Sequence, residues 1–116
     1  MGIFRRRARG AAVSTVAFVF DDDGARRLYR GETTHRVRWA DLDRVAIRTT
    51  DDGPFAEDVF WVLLGNHENG FVVPAGLAPD GFLERLQELP GFDSAAVIQA
   101  MQSIEENVFV CWRKQP

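Results

Sequence analysis

Six consecutive apolar residues, Val-Phe-Trp-Val-Leu-Leu, follow Asp58 and form the longest apolar run of the chain. The run is rich in β-branched and aromatic residues, which are enriched in strands. A short continuous apolar run of this kind is typical of a strand that is buried on both faces. We therefore predict that residues 58–64 form the most buried strand and the centre of the core.

Alternation of apolar and polar positions predicts further strands on both sides of this run. Residues 33–39 alternate cleanly, as in an antiparallel strand with one face in solvent. Hairpin turns are indicated by Asp-Gly at residues 23–24 and by Asn-Gly at residues 69–70, the strongest type I′ signature in the chain. The predicted strands cover residues 13–20, 26–30, 33–39, 45–50, 58–64, 71–73 and 107–112.

Helical periodicity appears in the last third of the chain. Apolar residues spaced by three and four predict a helix over residues 79–89. Asp93 or Ser94 is a suitable N-cap for a second helix, which extends to about Ile104. The predicted apolar face of this second helix consists of Ala96, Val97, Ala100, Met101 and Ile104.

Together these elements predict a single α+β domain. We expect a mostly antiparallel sheet, or a partly open barrel, of about six to eight strands with two C-terminal helices packed on one side. A length of 116 residues is that of one domain, which we place at residues 11–116. Residues 1–10 lack hydrophobic periodicity and contain an arginine cluster, so we predict a flexible arm there.

The charge of the chain is unevenly distributed. Four of the fourteen basic residues lie in the predicted arm, and removing them leaves ten cations against seventeen anions, so the body carries a net charge near −7. This argues against a nucleic-acid-binding face on the body, because such a face needs clustered Lys and Arg. An acidic body is compatible with a basic protein partner, although moderate negative charge also serves solubility alone.

The arm offers a separate contact for anions. Its basic residues are Arg5, Arg6, Arg7 and Arg9. Such a cluster could bind an acidic membrane surface or RNA, and it could equally be a disordered leader.

The remaining sequence features indicate the cytoplasm. No apolar run approaches the ~20 residues of a membrane-spanning helix. No signal-peptide cleavage pattern follows the arm. Because the chain has a single cysteine, it cannot form an internal disulfide, which fits a reducing compartment.

No constellation of residues predicts catalysis, a cofactor or a metal. Cys111 lies between Val110 and Trp112 in an apolar strand, where a buried structural cysteine is expected. His35 and His67 lie on different elements and have no partner at metal-ligand spacing. We therefore expect a protein that is not an enzyme and that holds neither cofactor nor metal.

The loops around two neighbouring strands carry the best candidates for a binding site. Their carboxylates could in principle transfer protons, but carboxylates in turns beside Gly and Pro usually face solvent. Aromatic residues with acidic neighbours are typical anchors of protein interfaces, and Phe55, Phe92 and Trp112 are candidates. Dimerisation through an edge strand is left open. The predicted partner-binding residues are Asp41, Asp43, Asp51, Asp52, Phe55 and Glu57.

Three segments resemble small uncharacterised bacterial proteins with a pleckstrin-homology-like domain. They are residues 37–42 (Val-Arg-Trp-Ala-Asp-Leu), 58–64 (Asp-Val-Phe-Trp-Val-Leu-Leu) and 89–93 (Leu-Pro-Gly-Phe-Asp). The resemblance implies strands closed by C-terminal helical structure, although a plain domain of this kind ends in one long helix. It implies no ligand site.

By type, a small acidic α+β protein with few motifs is also similar to bacterial toxin-immunity proteins. That likeness implies a non-enzymatic protein-binding module that inhibits a basic partner and is steered to it by acidic loops. The alternative is a pleckstrin-homology-like accessory domain that associates with an anionic membrane through the Arg-rich arm. The identity of the partner is left open.

Overall fold

The computed structural model describes residues 15–51 and 58–115. Within these two ranges the chain forms two α-helices and seven strands, in two antiparallel sheets that do not close into a barrel. The predicted α+β class with helices in the C-terminal half is therefore confirmed. The predicted arm lies outside the described residues. The elements are β1 (Val16–Phe20), β2 (Gly24–Tyr29), β3 (Glu32–Arg38), β4 (Leu42–Thr49), β5 (Val59–Gly65), β6 (Gly70–Pro74), α1 (Phe82–Gln87), α2 (Ser94–Gln102) and β7 (Asn107–Arg113).

The first sheet is a meander in the order β1-β2-β3. A hairpin turn follows β1 as predicted, but Gly24 is already the first residue of β2 and neither Asp23 nor Gly24 has a positive φ, so residues 23–24 are not a type I′ turn. Asp21 organises the turn. The Asp21 carboxylate accepts hydrogen bonds from the backbone N–H groups of Asp23 and Gly24, at 2.9 and 3.1 Å. These two donors favour the ionised carboxylate, so they lower the pKa of Asp21.

The second sheet has the order β6-β5-β4-β7, so the last strand of the chain pairs with β4. The predicted central strand, β5, is an interior strand, but it is not the most buried one. In β5 only alternate residues, such as Trp61 and Leu63, are buried. In β4 the buried residues are Leu42, Val45, Ala46, Ile47 and Thr49. The prediction failed here because a continuous apolar run does not require that both faces of its strand be covered.

The connection from β5 to β6 also differs from the prediction. A 3-10 turn at Asn66–Glu68 makes the reversal, and its left-handed residue is His67, with φ 56° and ψ 33°. Asn69 is extended, with φ −78° and ψ 136°, so residues 69–70 do not form a type I′ turn. A glycine is required at residue 70 for a different reason: a Cβ there would collide with the backbone of Leu63.

One hydrophobic core lies between two layers. The four-stranded sheet is the first layer, and the three-stranded sheet together with the helices is the second. Phe18 of β1 stacks on Phe71 of β6, with ring centroids 6.0 Å apart. Phe82 of α1 meets Trp61 of β5 edge-on at 5.9 Å. The helices therefore pack on one side of the four-stranded sheet, as predicted.

Helix α2 packs against β7 and β4. Its N-cap is Asp93, whose side chain accepts a hydrogen bond from the backbone N–H of Ala96 at 3.1 Å. The helix turns Ala96, Val97 and Ala100 into the core. Its other side is therefore directed away from the sheet.

Candidate binding surface

The structure separates the predicted partner-binding residues. Asp41 and Asp43 lie at the start of β4, and Asp51 follows its end. At about 3.3 Å per residue, the eight-residue strand holds its two ends roughly 25 Å apart. The other three predicted residues lie outside the described residues; they are Asp52, Phe55 and Glu57.

The start of β4 has mixed charge. A shallow cleft of about 640 Å³ lies here, lined by Asp43, Arg44, His67 and residues 64–66. Lys114 adds a further cation, and its backbone N–H donates to the carbonyl of Asp43 at 2.9 Å. Cations beside these carboxylates weaken the attraction of a basic partner. Across the described ranges, no group of three His, Cys, Asp or Glu side chains could hold a metal ion.

The opposite end of β4 is acidic, because three strand ends meet there. The backbone N–H of Thr50, after β4, donates to the carbonyl of Asp58, before β5, at 2.9 Å. The hydroxyl of Thr49 donates to the carbonyl of Glu105, just before β7, at 2.6 Å. We call the exposed carboxylates gathered here the acidic edge; they are Asp51, Asp58, Glu105 and Glu106.

The acidic edge is only partly neutralised by a neighbouring cation. Arg48 lies 3.7 Å from Glu106, and both side chains are more than half exposed. An exposed pair of this kind contributes little to stability, at most about 1 kcal/mol. In the part of the chain that the structure describes, Glu106 is the one carboxylate of the four with an ion pair, so the edge keeps a net negative charge.

Exposed apolar residues lie on α2 and in the segment that joins α2 to this edge. Ile98, Met101 and Ile104 are 59%, 52% and 86% exposed. We call these three residues the α2 stripe. Ile104 precedes Glu105 directly in the chain, so the stripe reaches the acidic edge. A contiguous exposed apolar patch with a polar rim marks an interaction site.

Sequence reasoning assigned part of this stripe to the core. Met101 and Ile104 were expected on the buried face of the second helix, but both are exposed. The helix ends at Gln102, and Ser103 is extended, with φ −78° and ψ 136°. Ile104 therefore leaves the helical register. The signal that was available is Ile98, which helical geometry places opposite Ala96 and Ala100.

Two predicted aromatic anchors are not available to a partner. Trp112 is buried, and its indole N–H donates to the carbonyl of Pro90 at 2.8 Å. Phe92 packs against the core. Cys111 is buried as expected, and burial together with the charge of Asp93 raises its pKa to about 11. Its thiol is therefore protonated at neutral pH and is a poor nucleophile.

Comparisons with known proteins identify no relative of this chain. Neither a protein-family model, nor a curated protein, nor a solved structure matches the chain. The likeness to pleckstrin-homology-like and immunity proteins stays a prediction. Among the described residues, the helices are too short or too polar to cross a membrane.

Proposed function

We propose that this chain is a non-enzymatic protein-binding module of the cytoplasm that binds a basic protein partner, as an immunity-type inhibitor would. The acidic edge and the α2 stripe form the contact surface of this proposal. The observation that carries it is Ile104, which is 86% exposed and directly precedes Glu105 and Glu106 in the chain.

The two parts of the surface would have different roles. Clustered carboxylates attract a basic protein over distances near the Debye length and raise the association rate. Apolar side chains that become buried in the complex slow its dissociation. An inhibitor that covers the basic active site or binding face of its target needs both effects.

The proposal redraws the predicted contact region. Asp51 stays in it, because the structure places this residue with Asp58 at the end of β4. Asp52, Phe55 and Glu57 lie between those two residues in the sequence, and we keep them as proposed contacts. Asp41 and Asp43 lie at the other end of the strand and leave the proposed surface.

A pair of matched charge reversals tests the proposal. Glu105→Lys and Asp43→Lys each exchange one exposed carboxylate for an amine, at opposite ends of β4. Full-length variants are immobilised beside the unchanged chain and used to capture proteins from host lysate, which are identified by mass spectrometry. We expect a basic protein that associates with the unchanged chain and with Asp43→Lys, and about tenfold more slowly with Glu105→Lys.

The apolar contact is tested with the same captured protein. Ile104→Ala should shorten the lifetime of the complex about tenfold, as expected for loss of a buried anchor. Leu77→Ala is the control, because Leu77 is also an exposed apolar residue but lies outside the stripe. Capture that is equally affected by both charge reversals, or a lifetime that Ile104→Ala does not change, would contradict the proposal.

The membrane alternative has its basis in the sequence of the arm. The four arginines of the arm lie outside the described residues; they are Arg5, Arg6, Arg7 and Arg9. Membrane binding through them is a second proposal, and vesicle flotation tests it.

A further inference from the structure

The outer face of the four-stranded sheet is apolar although it faces away from the core. Neighbouring strands align Val72, Val62, Ala46 and Val110 in one row. The next row consists of Pro74, Phe60, Arg48 and Val108. None of these residues belongs to the hydrophobic core cluster. Val72 and Val108 are 46% and 57% exposed.

This outer sheet face has opposite charges at its two ends. One end carries Arg44 and Arg113, which are paired across β4 and β7 on the same face. The other end carries Asp58 and Glu106, just before β5 and β7. The 3.7 Å contact between Arg48 and Glu106 shows that the Glu106 carboxylate is directed to this face. The face therefore runs from a basic end, across a middle of apolar residues with one cation, Arg48, to an acidic end.

We infer that the outer sheet face binds a second copy of this chain. A surface with opposite charges at its ends is complementary to itself when one copy is rotated by a two-fold axis. The axis must lie in the interface and run across the strands, so that strand direction reverses between copies. Arg113 of one copy then faces Glu106 of the other, and Arg44 lies opposite the end of β4, between Asp58 and Glu106 of the other copy. An axis along the strands would instead place arginine against arginine.

The middle rows fit the same arrangement. Reversal places Val62 against Phe60 of the second copy, and Val110 against Val108. Arg48 lies opposite Ala46 of the second copy, and its guanidinium is directed to Glu106 of its own chain. Two sheets that pack face to face in this way lie about 10 Å apart with their strands rotated by about 30°.

The area of the outer sheet face determines how strong a dimer we expect. Four strands about 4.8 Å apart and six residues at about 3.3 Å each give a flat area of roughly 400 Å². That is about half the ~800 Å² per partner of a standard interface. We therefore expect a weak dimer that forms as the concentration rises.

This interface shares Asp58 and Glu106 with the acidic edge but does not include the α2 stripe. The α2 stripe belongs to the layer on the core side of the sheet, whereas the dimer uses the opposite side. The α2 stripe thus stays free in the dimer, whereas Asp58 and Glu106 become covered. Dimerisation is measured on the chain alone, so the failure of one proposal is distinguishable from the failure of the other.

Sedimentation equilibrium of the full chain measures the dimer directly. From about 10 µM to about 1 mM, a range suited to weak association, the mean mass should rise from 13.1 kDa toward twice that value. Val72→Asp places an unpaired charge in the interface and should weaken dimerisation at least tenfold. Ile98→Asp makes the same change on the α2 stripe, at a residue of similar exposure, and should leave the dimer unchanged.

A charge exchange tests the proposed orientation. Arg113→Glu and Glu106→Arg should each weaken the dimer several-fold, and the double variant should recover most of the loss because the pair is restored with reversed signs. Circular dichroism checks that each variant is folded. A monomer at every concentration overturns the inference, and so does a double variant no better than the single ones. Binding of a monomeric chain to phosphatidylserine vesicles that Val72→Asp abolishes would assign the face to a membrane instead.

Discussion

Thr49 connects three elements through one buried hydroxyl. The residue is 1% exposed, and its Oγ1 donates to the carbonyl of Glu105 at 2.6 Å. A buried hydroxyl without a partner would be destabilising, so this bond fixes the segment between α2 and β7 against the end of β4. The position of the acidic edge therefore depends on a residue that is not itself acidic.

Cys111 should make the stability of the fold depend on pH. Burial raises the pKa of its thiol to about 11, so the folded chain keeps the proton at a pH where the unfolded chain has lost it. Above pH about 9, the unfolded state then binds fewer protons, and stability falls as pH rises, by up to about 1 kcal/mol per pH unit. The measurement is the urea midpoint between pH 7.5 and 10.5.

The control for this prediction is Cys111→Ala. That variant is less stable at every pH because it leaves a cavity, but its stability should fall less steeply between pH 9 and 10.5. Parallel pH profiles for the two proteins would show that Cys111 does not cause the dependence.

Sequence reasoning at the residue scale succeeded where the cause is local. The hairpin turn after β1 and the N-cap of α2 depend on hydrogen bonds within three residues. The place of the turn was predicted, and Asp93 was one of the two residues predicted as the cap. The left-handed His67 was missed, because Asn69 and Gly70 are the residues that usually adopt such conformations. The conformation of this turn is determined by the close packing of Gly70 on the backbone of Leu63. A contact of this kind cannot be read from the sequence.

At the scale of elements, α2 depends on its first turn. The helix has nine residues, and helices of this length are marginal without capping and packing. Asp93→Ala removes the side-chain acceptor for the N–H of Ala96 and should lower the free energy of unfolding by about 1 kcal/mol. Urea denaturation of the variant and of the unchanged chain measures the difference.

Asp93→Asn separates the hydrogen bond from the charge. Asparagine keeps the acceptor oxygen, so most of the stability should remain. If Asp93→Asn is destabilised as much as Asp93→Ala, the helix is stabilised by the negative charge and not by the cap bond.

The strands and helices were easier to predict than the pairing between strands. Periodicity located all seven strands and both helices, because it reports which residues point to one side. It does not report the partner of a strand, and the pairing of β7 with β4 joins residues more than fifty positions apart in the chain. The misjudged burial of β5 has the same origin, since its second face is open for lack of a covering element among the described residues.

At the scale of the whole molecule, the arm and the body carry opposite charges. The membrane alternative predicts that the full chain floats with phosphatidylserine vesicles at low salt, and that deletion of residues 1–10 abolishes flotation. Four arginines supply at most about 1 kcal/mol each near such a surface, and the acidic body opposes them. Neutral vesicles are the control. Flotation that survives the deletion would show that the body holds the membrane contact.

The fold class was predictable from the sequence, and the candidate surface only in part. Length, alternation and helix signals suffice for an antiparallel α+β domain. The acidic edge is assembled from the ends of β4, β5 and β7, so its residues are distant in the chain; Asp51 was predicted as a contact, whereas Glu105 and Glu106 were not. Exposed apolar residues such as Ile98 have no distinguishing sequence pattern until the core has been assigned.

The late position of β7 in the chain has a consequence during synthesis. Before residues 107–113 have left the ribosome, β4 lacks its second partner, and its backbone N–H and C=O groups form an open edge beside strongly apolar side chains. Nascent chains in this condition are prone to associate with one another. A ribosome that stalls upstream of β7 would thus hold a fragment that needs a chaperone, whereas a chain that already contains the strand is able to close its own sheet.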